Sequence, residues 1–197
     1  MRSGRVYVNS FIEPARAPSR ELETTRFGAS GQAPLSDRSR VARLVSLLRT
    51  PDGFGVSVNL DLDNEVPLGL HVHSGERDAA LRRLMNRAGG DVIRKGRLCH
   101  FCELQEAHSK SLAAELRSAL VRIARKPISQ KHVERILRIT SAERIRWGKD
   151  GRLPRSGMTQ IRRGTRISLW TYPPGIVEDL AARPEIVAGW RVIDGRL

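Results

Sequence analysis

Thr140-Ser141-Ala142-Glu143-Arg144-Ile145-Arg146-Trp147-Gly148-Lys149-Asp150-Gly151-Arg152-Leu153-Pro154 is the stretch on which the reading of this chain turns. Thr140 and Glu143 have capping-box spacing. The Thr hydroxyl can take the amide of Glu143, and the Glu carboxylate can return to the amide of Thr140. A short helix should therefore start at Ser141. It should end at Lys149-Asp150-Gly151, because Gly151 allows a left-handed stop and Pro154 cannot continue a helix. Trp147 is bulky enough to anchor this helix in a core, which turns a basic side outward.

Working outward, Ile128-Ser129 opens an earlier short helix with Ser129 as its cap and Val133, Ile136 and Leu137 as its inner stripe. Arg138-Ile139 leaves room only for a tight turn before Thr140. Downstream, residues 158–172 read as a hairpin whose turn, Arg163-Gly164-Thr165, contains the glycine a tight turn favours. Ile176, Val177 and Leu180 then begin a last helix, with a stop near Pro184. Two short helices joined by a tight turn and followed by a basic hairpin have the spacing of a helix-turn-helix with a wing. On this reading Ser141, Ala142, Glu143, Arg144 and Arg146 stand exposed on the second helix. Arg144 and Arg146 would read bases, since Arg can bond bidentately to guanine. Arg162, Arg163 and Arg166 would hold the backbone. Ser141, Lys149 and Arg152 complete the candidate contacts.

The run Arg146-Trp147-Gly148-Lys149-Asp150-Gly151-Arg152-Leu153-Pro154, with Val133, Leu137, Ile139 and Thr140 upstream, resembles the winged helix-turn-helix shared by MerR-like regulators, phage excisionases and small terminase subunits. The stretch from Arg162 to Trp170 is similar to that family's wing, and the segment from Ile176 to Leu180 to its following helix. The resemblance covers residues 128–183 and no more. Arg138 stands where the family commonly has a turn glycine, and Arg144 where it usually has an apolar residue. The resemblance implies binding of double-stranded DNA and leaves transcription, recombination and packaging all open as the purpose.

Charge points the same way. The 197 residues carry a net +14, with 40% hydrophobic and 5% aromatic residues. The excess is uneven, at roughly +5 over residues 1–50, −1 over 51–119 and +10 over 120–197. A basic segment beside a neutral one suggests a local polyanion contact. Cys99 and Cys102 are too few for a disulfide framework. No run approaches the roughly 20 apolar residues of a membrane span. The expected setting is cytoplasmic and nucleoid-associated, with no membrane contact.

The rest of the chain is less specific. Residues 1–35, rich in Pro, Gly, Ser, Thr and Arg, read as a flexible basic segment, with a short strand among the first ten. A helix is expected from residue 36 to about 49, on a stripe of Val41, Leu44, Val45 and Leu48. Alternation of Val56, Val58, Leu60 and Leu62, then of Val66, Leu68, Leu70 and Val72, reads as a two-strand hairpin. Ser74 to Ala88 reads as a helix stopped by Gly89. Residues 36–98 thus form a helix, hairpin and helix unit. Residues 99–126 hold the C-x-x-C pair and a connecting helix from about 103 to 125, whose Leu112, Leu116, Ala119 and Ile123 could pair with a second subunit. Residues 127–197 complete an α+β protein with a C-terminal winged helix-turn-helix.

The expected function is a non-enzymatic, sequence-specific DNA-binding protein, a transcriptional regulator or a mobile-element accessory factor. No cofactor is expected. Zinc would need four ligands, and a second C-x-x-C is lacking. The only candidates are His71, His73, Cys99, Cys102 and His108. Those residues sustain an alternative, a metal-dependent nucleic-acid-processing enzyme that uses the C-terminal module for targeting. A helical protein–protein adaptor is the second alternative. No phosphate-binding glycine loop, Ser-His-Asp set or dinucleotide fingerprint is present.

Overall fold

The Ser36 hydroxyl accepts the amide of Ser39 and starts α1 (Asp37–Leu44), which buries Val41 and Leu44. The computed structural model describes residues 36–195 apart from positions 52, 62–64, 90, 97 and 164, and describes only the backbone of residues 50, 85, 91–95, 98, 100–103, 161–163 and 165–167. The basic segment of residues 1–35 and its short strand lie outside the described residues. After α1 the chain turns directly into strand β1 (Val45–Thr50), which pairs with β2 (Gly53–Asn59) so that Thr50 faces Gly53 across a two-residue turn. The helix expected to reach residue 49 therefore ends five residues early. Val45 and Leu48 satisfy a helical stripe, yet the strong turn after Thr50 lets the same residues pair with β2. Ladder hydrogen bonds replace the helical ones. Arg117 locks the junction by donating from Nη2 to the carbonyl of Val45 at 2.8 Å.

The expected partner strand over residues 66–72 is absent. Its place is taken by α2 (Leu68–Val72), entered through Pro67. Alternation there served two cores instead of one sheet face. Leu70 is buried in a first core, while Leu68 and Val72 pack on a second. Gly69 lies against the backbone of α4 (Glu106–Ala124), where an added Cβ would come 2.0 Å from the carbonyl oxygen of Ala124. Between them runs α3 (Ser74–Ala88), which ends as expected at Gly89 in the left-handed region, φ 65°.

Strands β3 (Asp91–Lys95) and β4 (Leu98–Leu104) complete an antiparallel sheet in the order β1-β2-β4-β3. One extra residue of β4 bulges where Phe54 faces Leu104 and Val56 faces Phe101. The C-x-x-C pair thus sits in a central strand, and not at a helix start. The connecting helix begins later than expected for the same reason. Leu112, Leu116, Ala119 and Ile123 of α4 are buried with Val41, Val56, Val58 and Leu81 in the first core. The stripe proposed for pairing with a second subunit is consumed within the chain.

The second core is built from β5 (Ile128–Ser129), α5 (Gln130–Leu137), α6 (Ser141–Lys149), β6 (Gly157–Arg163), β7 (Thr165–Tyr172), α7 (Pro174–Ala182) and α8 (Pro184–Ile193). Its sheet has the order β5-β7-β6. Ile128, Val133, Trp147, Leu153, Tyr172 and Val177 are fully buried or nearly so. Helix α8 was not expected. Pro184 stops α7, and the same fixed φ suits the first turn of a new helix. Arg40 of α1 reaches α7 with two hydrogen bonds to Glu178, at 2.9 and 2.6 Å, and also donates to the carbonyl of Glu65. With α2 inserted between the cores, this pair joins both halves into one α+β unit.

Gly69→Ala should cost about 1–3 kcal/mol or more, because backbone atoms and not a movable side chain block the new methyl. Urea denaturation measures it, and an unchanged midpoint would refute the close packing of α2 on α4. Arg138 is the one non-glycine residue with positive φ among the described residues, at 53°. Arg138→Gly should therefore raise stability by up to about 1 kcal/mol, less the entropy cost of glycine in the unfolded chain.

Candidate nucleic-acid interface

Helix α5 starts at Ser129, whose hydroxyl lies 2.8 Å from Nδ1 of His132, and buries Val133 and Leu137. Arg138 turns the chain through the left-handed region, as the amide of Ile139 returns to the carbonyl of Glu134 at 3.0 Å. Ile139 is buried, so the turn is pinned from inside. At Thr140 the capping box is formed in full. The amide of Glu143 donates to Thr140 Oγ1 at 3.2 Å, and the amide of Thr140 donates to Glu143 Oε2 at 2.7 Å. Residues 138–140 thus separate two helices whose limits match the reading from spacing.

The arginines of α6 do not stand as expected. Arg144 is 6% exposed, donating from Nε to Glu134 Oε1 at 2.7 Å and from Nη1 to the Tyr172 hydroxyl at 3.1 Å. It was expected to stand exposed and read bases, and its burial corrects that expectation. Glu143 is 5% exposed and holds Arg191 of α8 through Nε at 2.8 Å. Arg146 donates to Asp194 Oδ2 at 2.9 Å, and Arg152 donates to Asp194 Oδ1 at 2.8 Å and to Asp150 Oδ2 at 2.6 Å. Four arginines are thereby matched by four carboxylates. The expected basic face of α6 is largely neutralised by the chain itself, because burial beside a core tolerates charge only in pairs.

Trp147 is fully buried, as expected. Its indole Nε1 donates to Asp194 Oδ2 at 2.9 Å, and its ring meets Trp190 edge-on, 5.0 Å between centroids. The Arg152 guanidinium lies 5.7 Å from the centre of the same ring. Asp194 therefore takes hydrogen bonds from Arg152, Trp147 and Arg146. Led by Arg152, they hold its carboxyl at about 2 against the cost of burial. The Arg191 hydrogen bond likewise holds Glu143 below the usual carboxylate range. Burial opposes ionisation of Glu134, but the bonds from Arg144 and Ser141 prevail and lower it.

What α6 leaves in solvent is Ser141, Ala142, Ile145 and Lys149, with Ile145 44% exposed. Ser141 donates to Glu134 Oε1 at 2.8 Å. The base of the hairpin meets the buried side of α6: Tyr172 of β7 bonds Arg144, and Arg155, stacked on Trp170 at 4.4 Å, lies over Gly148 and would have to shift for a side chain there. Arg162 pairs across the ladder with Arg166, and Arg163 with Thr165, which puts three arginine positions at the hairpin tip. No family model, curated protein or solved structure matches the chain.

The metal candidates are dispersed. His71 is exposed on α2, His73 follows that helix, Cys99 is buried in the first core and His108 is exposed on α4. The side chain of Cys102 lies outside the described residues. Among the described residues no three His, Cys, Asp or Glu side chains converge on one point. No described helix is long and apolar enough to cross a membrane.

The residues that spacing missed are Glu134, Asp194, Arg191 and Trp190. None carries a local signal, since their partners lie 7 to 53 positions away.

Asp194 binds its proton more weakly when folded than when unfolded, so its contribution is complete above about pH 4. It is lost as pH falls toward 2. Asp194→Asn should flatten the acid limb of stability over that window, read by tryptophan fluorescence of Trp147 and Trp190. An acid limb identical to that of the parent protein would show that Asp194 is not the titrating anchor.

Proposed function

We propose that this chain binds double-stranded DNA through a winged helix-turn-helix, in which α5 and α6 are the helices and the β6–β7 hairpin is the wing. One observation carries the reading. The capped, solvent-facing start of α6 is tied through Arg144 and Tyr172 to the base of a hairpin whose turn end carries the Arg162, Arg163 and Arg166 positions. A helix N-terminus favours phosphate, and a basic finger next to it suits backbone or minor groove.

The division of labour differs from that expected from spacing alone. The major-groove face is Ser141, Ala142, Ile145 and Lys149. Ala142 and Ile145 can touch thymine methyl groups, and Lys149 can reach a guanine edge or a phosphate. Arg144 positions α6 against β7 and does not read bases. Arg146, whose side chain keeps 38% exposure, can turn to DNA only by leaving Asp194, and Arg152 is held twice. Binding without catalysis suits a transcriptional regulator or mobile-element accessory protein, in the cytoplasm on the nucleoid. The enzymatic alternative gains nothing from the dispersed His and Cys side chains.

Affinity for duplex should fall with salt at a log–log slope of about −0.9 per phosphate neutralised. Arg163→Ala with Arg166→Ala should weaken binding to all sequences and reduce that slope. Ile145→Ser should change which sequences are selected from a random pool. Duplex binding indifferent to the wing pair, with selection indifferent to position 145, would sink the reading.

A further inference from the structure

We propose that the channel between α3 and α4 is a second contact for the DNA sugar–phosphate backbone, separate from α6 and the hairpin. The helices run antiparallel, since Glu76 pairs with Lys126 at one end and Arg87 Nη1 with Glu115 Oε2, 3.1 Å apart, at the other. Two contiguous hollows of about 770 and 660 Å³ lie along them, and Arg83 and Arg122 line both. Both side chains are exposed, and neither has an ion pair or hydrogen-bond partner among the described residues. Arg87, Lys126 and Arg125 border the channel too, but Glu115, Glu76 and Asp37 pair with them, so Arg83 and Arg122 are its two unpaired cations among the described residues. This is the reverse of α6, where every arginine has its carboxylate.

The shape of the channel selects the ligand. Its floor is Ala80 and Ala119, with Ala79, Ala114 and Ser118 on the walls, so a bulky chain can come close to the helix backbones. Leu84, Ile123 and Pro127 add an apolar lining, but the two unpaired guanidinium groups beside it call for an anionic ligand. Among the described residues no aromatic ring lines the channel, so they offer no stacking platform of the kind a single strand needs. What is left is charge, set along about 16 Å between the end pairs at 1.5 Å per residue. That suits a run of phosphodiesters.

At its Lys126 end the channel reaches Pro127, one residue before β5 opens the proposed DNA-binding half.

The inference takes its ligand from the duplex reading above, so the test separates the two. Arg83→Gln with Arg122→Gln is made in the full chain, alone and together with Arg163→Ala and Arg166→Ala. Anisotropy of a labelled random-sequence duplex is read across a KCl series. The channel pair should weaken random duplex several-fold and lower the slope by about 0.9 for each phosphate no longer neutralised. Sequence preference and melting temperature should stay unchanged. Arg83→Glu with Arg122→Glu should weaken binding further, and the channel and wing effects should add. If the channel variants match the parent in affinity and slope while the wing pair does not, the channel proposal fails and the duplex reading stands. If the parent binds no duplex, both fail. Binding of polyglutamate that the channel pair abolishes, with duplex affinity untouched, would assign the channel to an acidic protein and overturn the proposal.

Discussion

The Asp194 carboxylate, at the end of α8, is the constraint on which the second half of the molecule depends. It receives the Trp147 indole and the guanidinium groups of Arg146 and Arg152 at 2.8–2.9 Å. A buried tryptophan needs an acceptor for its N–H, and partly buried arginines need counter-charge. One carboxylate meets all three demands. It thereby sets the rotation of α6 about its own axis, with Glu143, Arg146 and Trp147 turned toward α8 and Ala142, Ile145 and Lys149 turned to solvent.

That rotation has an electrostatic consequence. Helix α6 carries Arg144 and Arg146, with Arg152 just beyond, but each is matched by Glu134, Asp150 or Asp194. Net charge over residues 120–197 therefore overstates what α6 presents to a partner. Among the described residues, unmatched cations lie at Lys149 at the end of α6, on the exposed side of α5 and at Arg83 and Arg122 of the α3–α4 channel. A count of arginines locates a basic region, but only their pairing shows where the field emerges.

The two cores are held together by devices that serve neither core alone. Helix α2 is too short to be stable by itself, and it persists because Leu70 enters one core while Leu68 and Val72 lean on the other. Gly69 lets it settle against Ala124. The Arg40–Glu178 pair bridges 138 positions of sequence between α1 and α7. A bidentate geometry with partial burial gives such a pair direction as well as attraction.

Sequence alone determined the features that short-range rules govern. The Thr140 capping box, the stop at Gly89, the inner stripes of α4 and α5, the Trp147 anchor and the 158–172 hairpin all depend on residues a few positions apart. Their hydrogen bonds and periodicities close locally. Tertiary structure alone decided the rest. Val45 and Leu48 fit a helix or a strand equally well until β2 supplied a ladder. The alternating 66–72 run became a helix because two cores, not one sheet, claimed its apolar residues. Arg144, legible as an exposed base reader, was drawn inside by Glu134 and Tyr172, from 10 and 28 positions away. Local spacing says that a side chain is charged and where its helix begins. Which carboxylate neutralises it is settled only when distant segments meet, because Coulomb attraction in a partly dry interior favours the nearest partner in space and ignores separation along the chain.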